Sequence, residues 1–292
     1  LKRIAGLLSL VILAATALIP AAAQQFPALE ALRASAPGIS FSVQIPAPRA
    51  YDARVPAPAL SGEQLFQYLH QSVTPAPGFQ PSYSASKSYM YATADNTGCN
   101  GGPGIITLYS QVCISGASGD GNSYKEQGDQ NGDGKSGDFI NAEHIWPQSY
   151  FNSNLPMVAD LHQLGSTLSV PNGRRGNLNY ALVSNPTYST SAGSKLGKEG
   201  FEPADAAKGN VARAVLYFVV RYYDRSIRQG MDYNSFWTKN VPMFLQWNRM
   251  DPPDAAEKRR NDLIEKFQGN RNPFVDDPSL ADRIGETVLE AH

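Results

Sequence analysis

Across 292 residues the chain has only two cysteines and four histidines, and that scarcity removes whole classes of chemistry. The histidines are His70, His144, His162 and His292; they form no H-E-x-x-H, and Cys99 and Cys113 form no C-x-x-C. A three-histidine zinc site and a cysteine zinc site are therefore not expected, which leaves oxygen as the usable metal ligand. An excess of basic charge is missing too: 25 Lys and Arg stand against 26 Asp and Glu, a net charge of −1 that becomes −3 if the segment carrying Lys2 and Arg3 is removed. A polyanionic partner would have to be held by local basic groups and a metal, not by the field of the whole molecule. Long apolar runs are also lacking after the N-terminus. The best later stretch, Val211 to Val220, is short and accompanied by Arg213 and Arg221, so no membrane span is expected in the mature chain.

What is present begins with Lys2-Arg3, an apolar run from Ile4 to Ile19, Pro20 and then Ala21-Ala22-Ala23. That order reads as a secretory signal over 1–23, too short and too broken to be an anchor. A secreted or periplasmic location follows, and in an oxidising compartment Cys99 and Cys113 are expected to form a local disulfide. Residues 24–59, rich in Pro, Ala and Ser and without a sustained period, read as an extension.

Residues 60–292 read as one mixed α+β domain of about two hundred residues with a helical C-terminal third. Leu65, Tyr68 and Leu69 have helical spacing, Ser86 to Ala94 suggests a short helix, and Gly104 to Tyr109 suggests a strand. Two short strand-like pieces follow, around Phe139 to Pro147 and Leu161 to Leu164. Val211, Val215, Phe218, Val219 and Tyr222 recur at i, i+4, i+7, i+8 and i+11, a buried helical stripe. Further helices are expected over Ser235 to Trp247 and Asp254 to Phe267, the latter ending before Gly269.

Two motifs invite a function and fall short of it. Asp129-x-Asn131-x-Asp133-Gly134 opens like an EF-hand loop, but its twelfth position is Ile140 where glutamate is needed; an additional weak Ca²⁺ site at Asp129, Asn131 and Asp133 stays open against a plain polar loop. Gly193 to Glu199 is one residue short of a phosphate loop and ends in Glu instead of Ser or Thr, so it reads as a turn.

His70 fits a partly buried position on a helix and His292 is terminal, which leaves His144 and His162. Glu143 beside His144 offers an oxygen ligand and a base from adjacent residues; on extended backbone their side chains point apart and can serve different tasks. A Glu-His dipeptide alone means little. Its company is more specific: Asn141-Ala142-Glu143-His144, then Asp160-Leu161-His162-Gln163-Leu164, Asn172-Gly173-Arg174-Arg175-Gly176-Asn177, Lys208 to Arg213, Arg260-Asn261, and Gln268 to Val275.

This ordered set resembles the bacterial endonuclease I family of secreted and periplasmic nucleases, over roughly Leu60 to Pro278. The resemblance implies a ββα-metal centre, two short strands and a helix around one divalent cation, Mg²⁺ or alternatively Mn²⁺ or Ca²⁺. Carried onto this chain it makes His144 the general base, and Glu143 and Asn172 the metal ligands. Asp160 and His162 fall beside the site and are expected to orient it, with Asn177 and the two arginines as further candidates near it or toward substrate. Trp146 and Pro147 are expected to pack. The activity implied is metal-dependent hydrolysis of DNA, with RNA as a further substrate, without sequence selection, by a monomer that leaves 5′-phosphate ends.

This sequence departs from that pattern in two places. Tyr150 to Asp160 contains no basic residue where some members carry a phosphate-binding arginine, so Arg174 and Arg175 are substitutes by proximity, with structural ion pairing as an equal alternative. Val158 stands where some relatives have another acidic residue. Two rival functions remain: a catalytically inactive extracellular protein of the same fold that binds calcium or nucleic acid, and a phosphodiesterase for a small substrate, which would need a closed pocket.

Overall fold

The apolar stripe around Val211 becomes the centre of the protein. In a computed structural model that describes residues 59–75, 80–126 and 139–292, it lies on a long helix, Asp205–Tyr222. The expected signal segment, all but the last residue of the extension, and the candidate calcium loop at Asp129, Asn131 and Asp133 lie outside the described residues. All the described residues belong to one unit, Ala47–His292.

The N-terminal elements are helix α1, Gly62–Ser72, and helix α2, Tyr83–Tyr89, which runs on into a π-turn, Met90–Ala94. Strand β1, Gly104–Ile106, pairs antiparallel with β2, Cys113–Ser115. The strand expected to reach Tyr109 stops early because Thr107 turns the chain, its carbonyl accepting from Gln111 N, while Leu108 N donates to Ser166 O at 2.8 Å. Cys99 and Cys113 form the expected disulfide, with Cα atoms 5.9 Å apart. Gly104 is required beside it: a Cβ there would press into the Cys99 sulfur and the Ile114 carbonyl.

Strand β3, Ile140–His144, pairs antiparallel with β4, Leu164–Leu168, with Glu143 opposite Gly165 and His144 opposite Leu164. Helix α3, Ser169–Arg175, follows β4 directly and ends at Gly176, whose φ of 51° favours glycine. Leu161 to Gln163, expected to open the strand, is a 3₁₀ turn instead. Asp160 causes the shift: its Oδ1 accepts from His162 N at 3.0 Å, capping a turn before the extended backbone begins.

A three-stranded sheet follows in the order β5, Tyr188–Ser189, β6, Lys195–Gly197, and β7, Gly200–Glu202. The segment resembling a phosphate loop is the turn and hairpin that make this sheet.

Helix α4, Asp205–Tyr222, carries the stripe at Val211, Val215, Phe218, Val219 and Tyr222, yet Ala207, Arg213 and Arg221 are buried as well. It is enclosed on all sides and is no half-exposed surface helix. Helix α1 packs on it, as does the helix Val241–Met250, whose end comes so close at Asp251 that a Cβ on Gly209 would overlap the Asp251 carbonyl. The single helix expected over Ser235 to Trp247 is split into α5, Tyr233–Phe236, a 3₁₀ turn, Thr238–Asn240, and α6, Val241–Met250. Pro242 explains the break, because its missing N–H is tolerated in a first turn and not in a helix interior.

Helix α7, Ala255–Gln268, matches expectation to within a residue: Asp254 caps it by accepting from Glu257 N at 2.7 Å, and Gly269 ends it with φ 78°. The chain closes with α8, Pro273–Asp276, α9, Ser279–Ile284, and α10, Glu286–Ala291. The architecture is α+β with a helical C-terminal third. Among the described residues no helix is long and apolar enough to cross a membrane.

Candidate active site

Strand alternation sorts the residues of β3. Ile140, Ala142 and His144 fall on one face, where Ile140 and Ala142 join Leu164, Leu168, Ile105, Ile114 and Ile264 in an apolar cluster. Asn141 and Glu143 fall on the other face, and α3 lies along it. Asn172 Nδ2 donates to Asn141 Oδ1 at 2.5 Å, and one turn later Arg175 Nη1 donates to Glu143 Oε1 at 2.9 Å. Two helix positions three apart are thus fastened to two strand positions two apart.

Glu143 is only 3 % exposed. Burial pushes its carboxyl above the ordinary value, and Arg175 with the Tyr109 hydroxyl pulls it back. Tyr109 donates to the same Oε1 at 2.7 Å and shares a 2.8 Å hydrogen bond with the Tyr180 hydroxyl. Arg175 also donates to the carbonyls of His144 and Ile145, at 2.9 and 2.7 Å, and its guanidinium covers the Tyr180 ring. Of the two roles open for Arg175, the structure places it in the ion pair: at 1 % exposure it cannot reach a phosphate in solvent. Arg174, its neighbour, is exposed and lies over the Tyr188 ring. Asn177 is exposed, and its backbone carbonyl accepts from the Tyr150 hydroxyl.

The donor set fits a hard cation. Both hydrogen bonds to the Glu143 carboxylate fall on Oε1, and among the described residues none is donated to Oε2. Asn172 spends its Nδ2 on Asn141, and no described residue donates to its Oδ1. One charged and one neutral oxygen are thereby left without partners on the α3 side, the ligand type that Mg²⁺ or Mn²⁺ takes. The polar neighbourhood is otherwise incompletely satisfied: among the described residues the buried Thr167 Oγ1, opposite Asn141, and Arg175 Nε find no partner. Among the described residues no three His, Cys, Asp or Glu come together as a metal cage, so an ion here would keep much of its shell for other ligands.

His144 is 6 % exposed, with the Tyr83 ring 5.3 Å and the Phe151 ring 6.3 Å from its own. Its Nε2 lies 3.1 Å from the Val158 carbonyl, which can only accept, so Nε2 carries the proton and a neutral ring keeps its lone pair on Nδ1. Burial lowers its pKa to about 4, with Arg175 and Lys87 also opposing protonation. Because the carbonyl of Val158 does the holding, the absence of an acidic side chain at that position leaves the tautomer intact.

Asp160 and His162 stand apart from this group. Asp160 Oδ2 accepts from Arg221 and from the hydroxyls of Tyr217 and Tyr222, and Oδ1 accepts from Gln268 Nε2. Burial would raise this carboxyl, but Arg221, His162 and the hydrogen bonds outweigh it and hold the pKa below 3.8. His162 Nε2 donates to the Asn270 carbonyl at 3.0 Å, and burial brings that ring down to about 4 despite the nearby Asp160 charge. The pair ties the turn before β4 to α4 and to the segment after α7. Trp146 packs as expected, fully buried, stacked on Phe218 and donating Nε1 to the Ile227 carbonyl.

Asn141, Tyr109, Tyr180 and the Val158 carbonyl were not singled out by sequence reasoning. Asn141 had a signal, since it sits two residues before Glu143 and so on the same strand face. Tyr109 and Tyr180 had none beyond being tyrosines. A cavity of about 470 Å³ is lined by His162, Ser166, Asn210, Asn261 and the ion pair of Asp95 with Arg260, and by none of Glu143, His144 or Asn172.

The family model described as Endonuclease I matches residues 61–279. The chain belongs to the endonuclease I family. It is 34% identical over 161 residues to a protein named extracellular ribonuclease from Bacillus amyloliquefaciens, covering 52% of this chain and 55% of that one. It is 31% identical over 121 residues to an endonuclease-1 of Buchnera aphidicola, 40% of this chain and 45% of that one. A protein named extracellular deoxyribonuclease from Aeromonas hydrophila is 27% identical over 124 residues, 41% of this chain and 50% of that one. The chain thus spans about half the length of these curated relatives.

Proposed function

We propose that this endonuclease I family member is an exported, divalent-metal-dependent endonuclease that hydrolyses phosphodiester bonds without reading base sequence and leaves 5′-phosphate ends. The observation that carries this is His144: a buried, neutral imidazole with its Nε2 proton committed to the Val158 carbonyl and, among the described residues, no donor to its Nδ1 lone pair, next in sequence to Glu143, one of the two oxygen ligands.

Glu143 Oε2 and Asn172 Oδ1 would hold the ion. When bound, Mg²⁺ or Mn²⁺ supplies electrostatic stabilisation of the charge that grows on the phosphate and on the departing 3′ oxygen. His144 Nδ1 takes the proton of a water that attacks phosphorus in line; the P–O3′ bond breaks, the 3′ oxygen leaves as a hydroxyl by taking a proton from water, and the phosphate stays on the 5′ end. Burial keeps the ring unprotonated at neutral pH, so the base is in its competent form before substrate arrives. Arg175 holds Glu143 in place and draws β3 and α3 together. Arg174, exposed near the end of α3, is a basic group available to a phosphate.

DNA is the first substrate of this reading. RNA is a second, favoured by the relatives named extracellular ribonucleases from two Bacillus species. The small-substrate alternative needs an enclosed pocket at the trio, and the 470 Å³ cavity is lined by none of its members. Export rests on the signal-like segment 1–23 and on relatives named extracellular or periplasmic.

The test is incubation of the purified protein with supercoiled plasmid, single-stranded DNA and RNA, with Mg²⁺ or Mn²⁺ and with EDTA. Nicking and linearisation that EDTA abolishes, with ends that a ligase accepts without prior phosphorylation, is expected. No cleavage with either cation, or cleavage indifferent to EDTA, overturns the reading; failure on RNA alone removes the second substrate.

A further inference from the structure

A carboxamide ligand has a problem that a carboxylate does not: its two ends have nearly the same shape, but only one can face a cation. Asn172 must present Oδ1, and an Nδ2 turned to the same place would repel the ion. We propose that Asn141 is the positioning residue that settles this choice, by accepting the Asn172 amide hydrogen and so turning Asn172 Oδ1 toward the ion. This inference rests on the metal site of Glu143 and Asn172 proposed above.

Three observations carry it. Asn172 Nδ2 lies 2.5 Å from Asn141 Oδ1, a contact between residues 31 apart in sequence, so it is made by the fold and not by local geometry. Asn141 shares the strand face of Glu143, two residues away, so the residue that orients one ligand is built on the same rigid element as the other. In this orientation Asn172 has its donor satisfied and its acceptor unspent, as a ligand requires, whereas the reverse orientation would spend Oδ1 on Asn141 and leave Nδ2 facing the ion. The same logic acts at Glu143, where Tyr109 and Arg175 both occupy Oε1 and leave Oε2. Such outer partners of metal ligands are commonly worth 10- to 100-fold in metal affinity.

The experiment measures Mn²⁺ binding to the full protein without nucleic acid, by electron paramagnetic resonance of the free ion, with thermal melts of every variant. Asn141→Leu is expected to weaken Mn²⁺ binding by roughly 10- to 100-fold. Asn141→Asp, which can only accept, is expected to keep binding at least at the original strength, and it serves as the folded control if the leucine variant is unstable. The decisive comparison uses Asn172→Asp, in which the two ends of the ligand are equivalent oxygens. In that background Asn141→Leu is expected to cost little, because no orientation remains to be chosen. An equal loss in both backgrounds, or no loss from Asn141→Leu while Asn172→Ala is defective, overturns the role of Asn141 and leaves the metal site standing. Mn²⁺ binding that neither Asn172→Ala nor Glu143→Ala weakens removes the metal site, and this inference with it.

Discussion

Arg175 and Glu143 form an ion pair at 2.9 Å with both side chains almost wholly excluded from water, 1 % and 3 % exposed. A carboxylate in that position is tenable because a permanently charged guanidinium and a tyrosine hydroxyl face it. Arg175→Met should therefore destabilise the protein by about 3 to 5 kcal/mol, the usual result of leaving one member of a buried pair uncompensated. Urea unfolding checks this, and adding Glu143→Gln to the arginine variant should restore part of the loss. A change below about 1 kcal/mol would show that the pair is not what holds α3 to β3.

The base and the ligands should fail in different ways. His144→Ala should lower turnover by roughly 10² to 10⁴ while leaving Mn²⁺ binding near its original strength. Asn172→Ala should weaken the ion itself, so raising the cation concentration should recover part of its activity and none of that lost with His144. Cation titrations of plasmid cleavage by the two variants decide it, and near-normal turnover by His144→Ala at saturating metal removes the histidine from its role.

The adjacent arginines should separate as cleanly. Arg174 is exposed, so Arg174→Ala should weaken DNA binding and flatten the slope of log affinity against log salt by about 0.9, the effect of one lost phosphate contact. Its melting temperature should be unchanged. Binding isotherms between low and moderate salt in EDTA, without divalent cation, test this, and an unaltered slope would place the phosphate contact elsewhere.

Acid should unfold the protein earlier than its carboxylates alone would dictate. His162, 5 % exposed, titrates at about 4 in the folded protein against 6.5 in an unfolded chain. As pH falls from about 6.5 to about 4 the unfolded chain binds a proton that the folded protein refuses, so stability declines across that window by up to about 3 kcal/mol. Asp160 works lower: with its folded pKa below 3.8, its contribution is present above that value and is lost as pH falls through the folded one. Stability curves from pH 7 to 4 for the protein and for His162→Asn should show a shallower decline in the variant. Parallel curves would mean that this ring is not the group responsible.

Much of the architecture was legible because its causes are local. The stripe from Val211 to Tyr222 follows from helical periodicity, the limits of α7 from Asp254 and Gly269, and the disulfide from two cysteines around a glycine-rich turn. The boundaries that failed did so through single residues with local effects that periodicity ignores: Asp160 capping a turn where a strand was expected, and Pro242 starting a new helix.

By itself the sequence determined that Glu143 and His144 occupy opposite faces of extended backbone, that the candidate metal ligands are oxygens, and that the ordered motifs belong to one family. Only the tertiary structure decided which of two consecutive arginines is buried. Arg174 and Arg175 differ by about 100° around one helix, and which side meets β3 depends on strands that no helix-local pattern encodes. The proton on His144 Nε2, set by the carbonyl of Val158, and the oxygens left unspent on Glu143 and Asn172 are of the same kind. Each depends on a partner 14 to 34 residues away, and hydrogen-bond direction is fixed by where the packed chain brings that partner, a quantity that side-chain type and spacing do not contain.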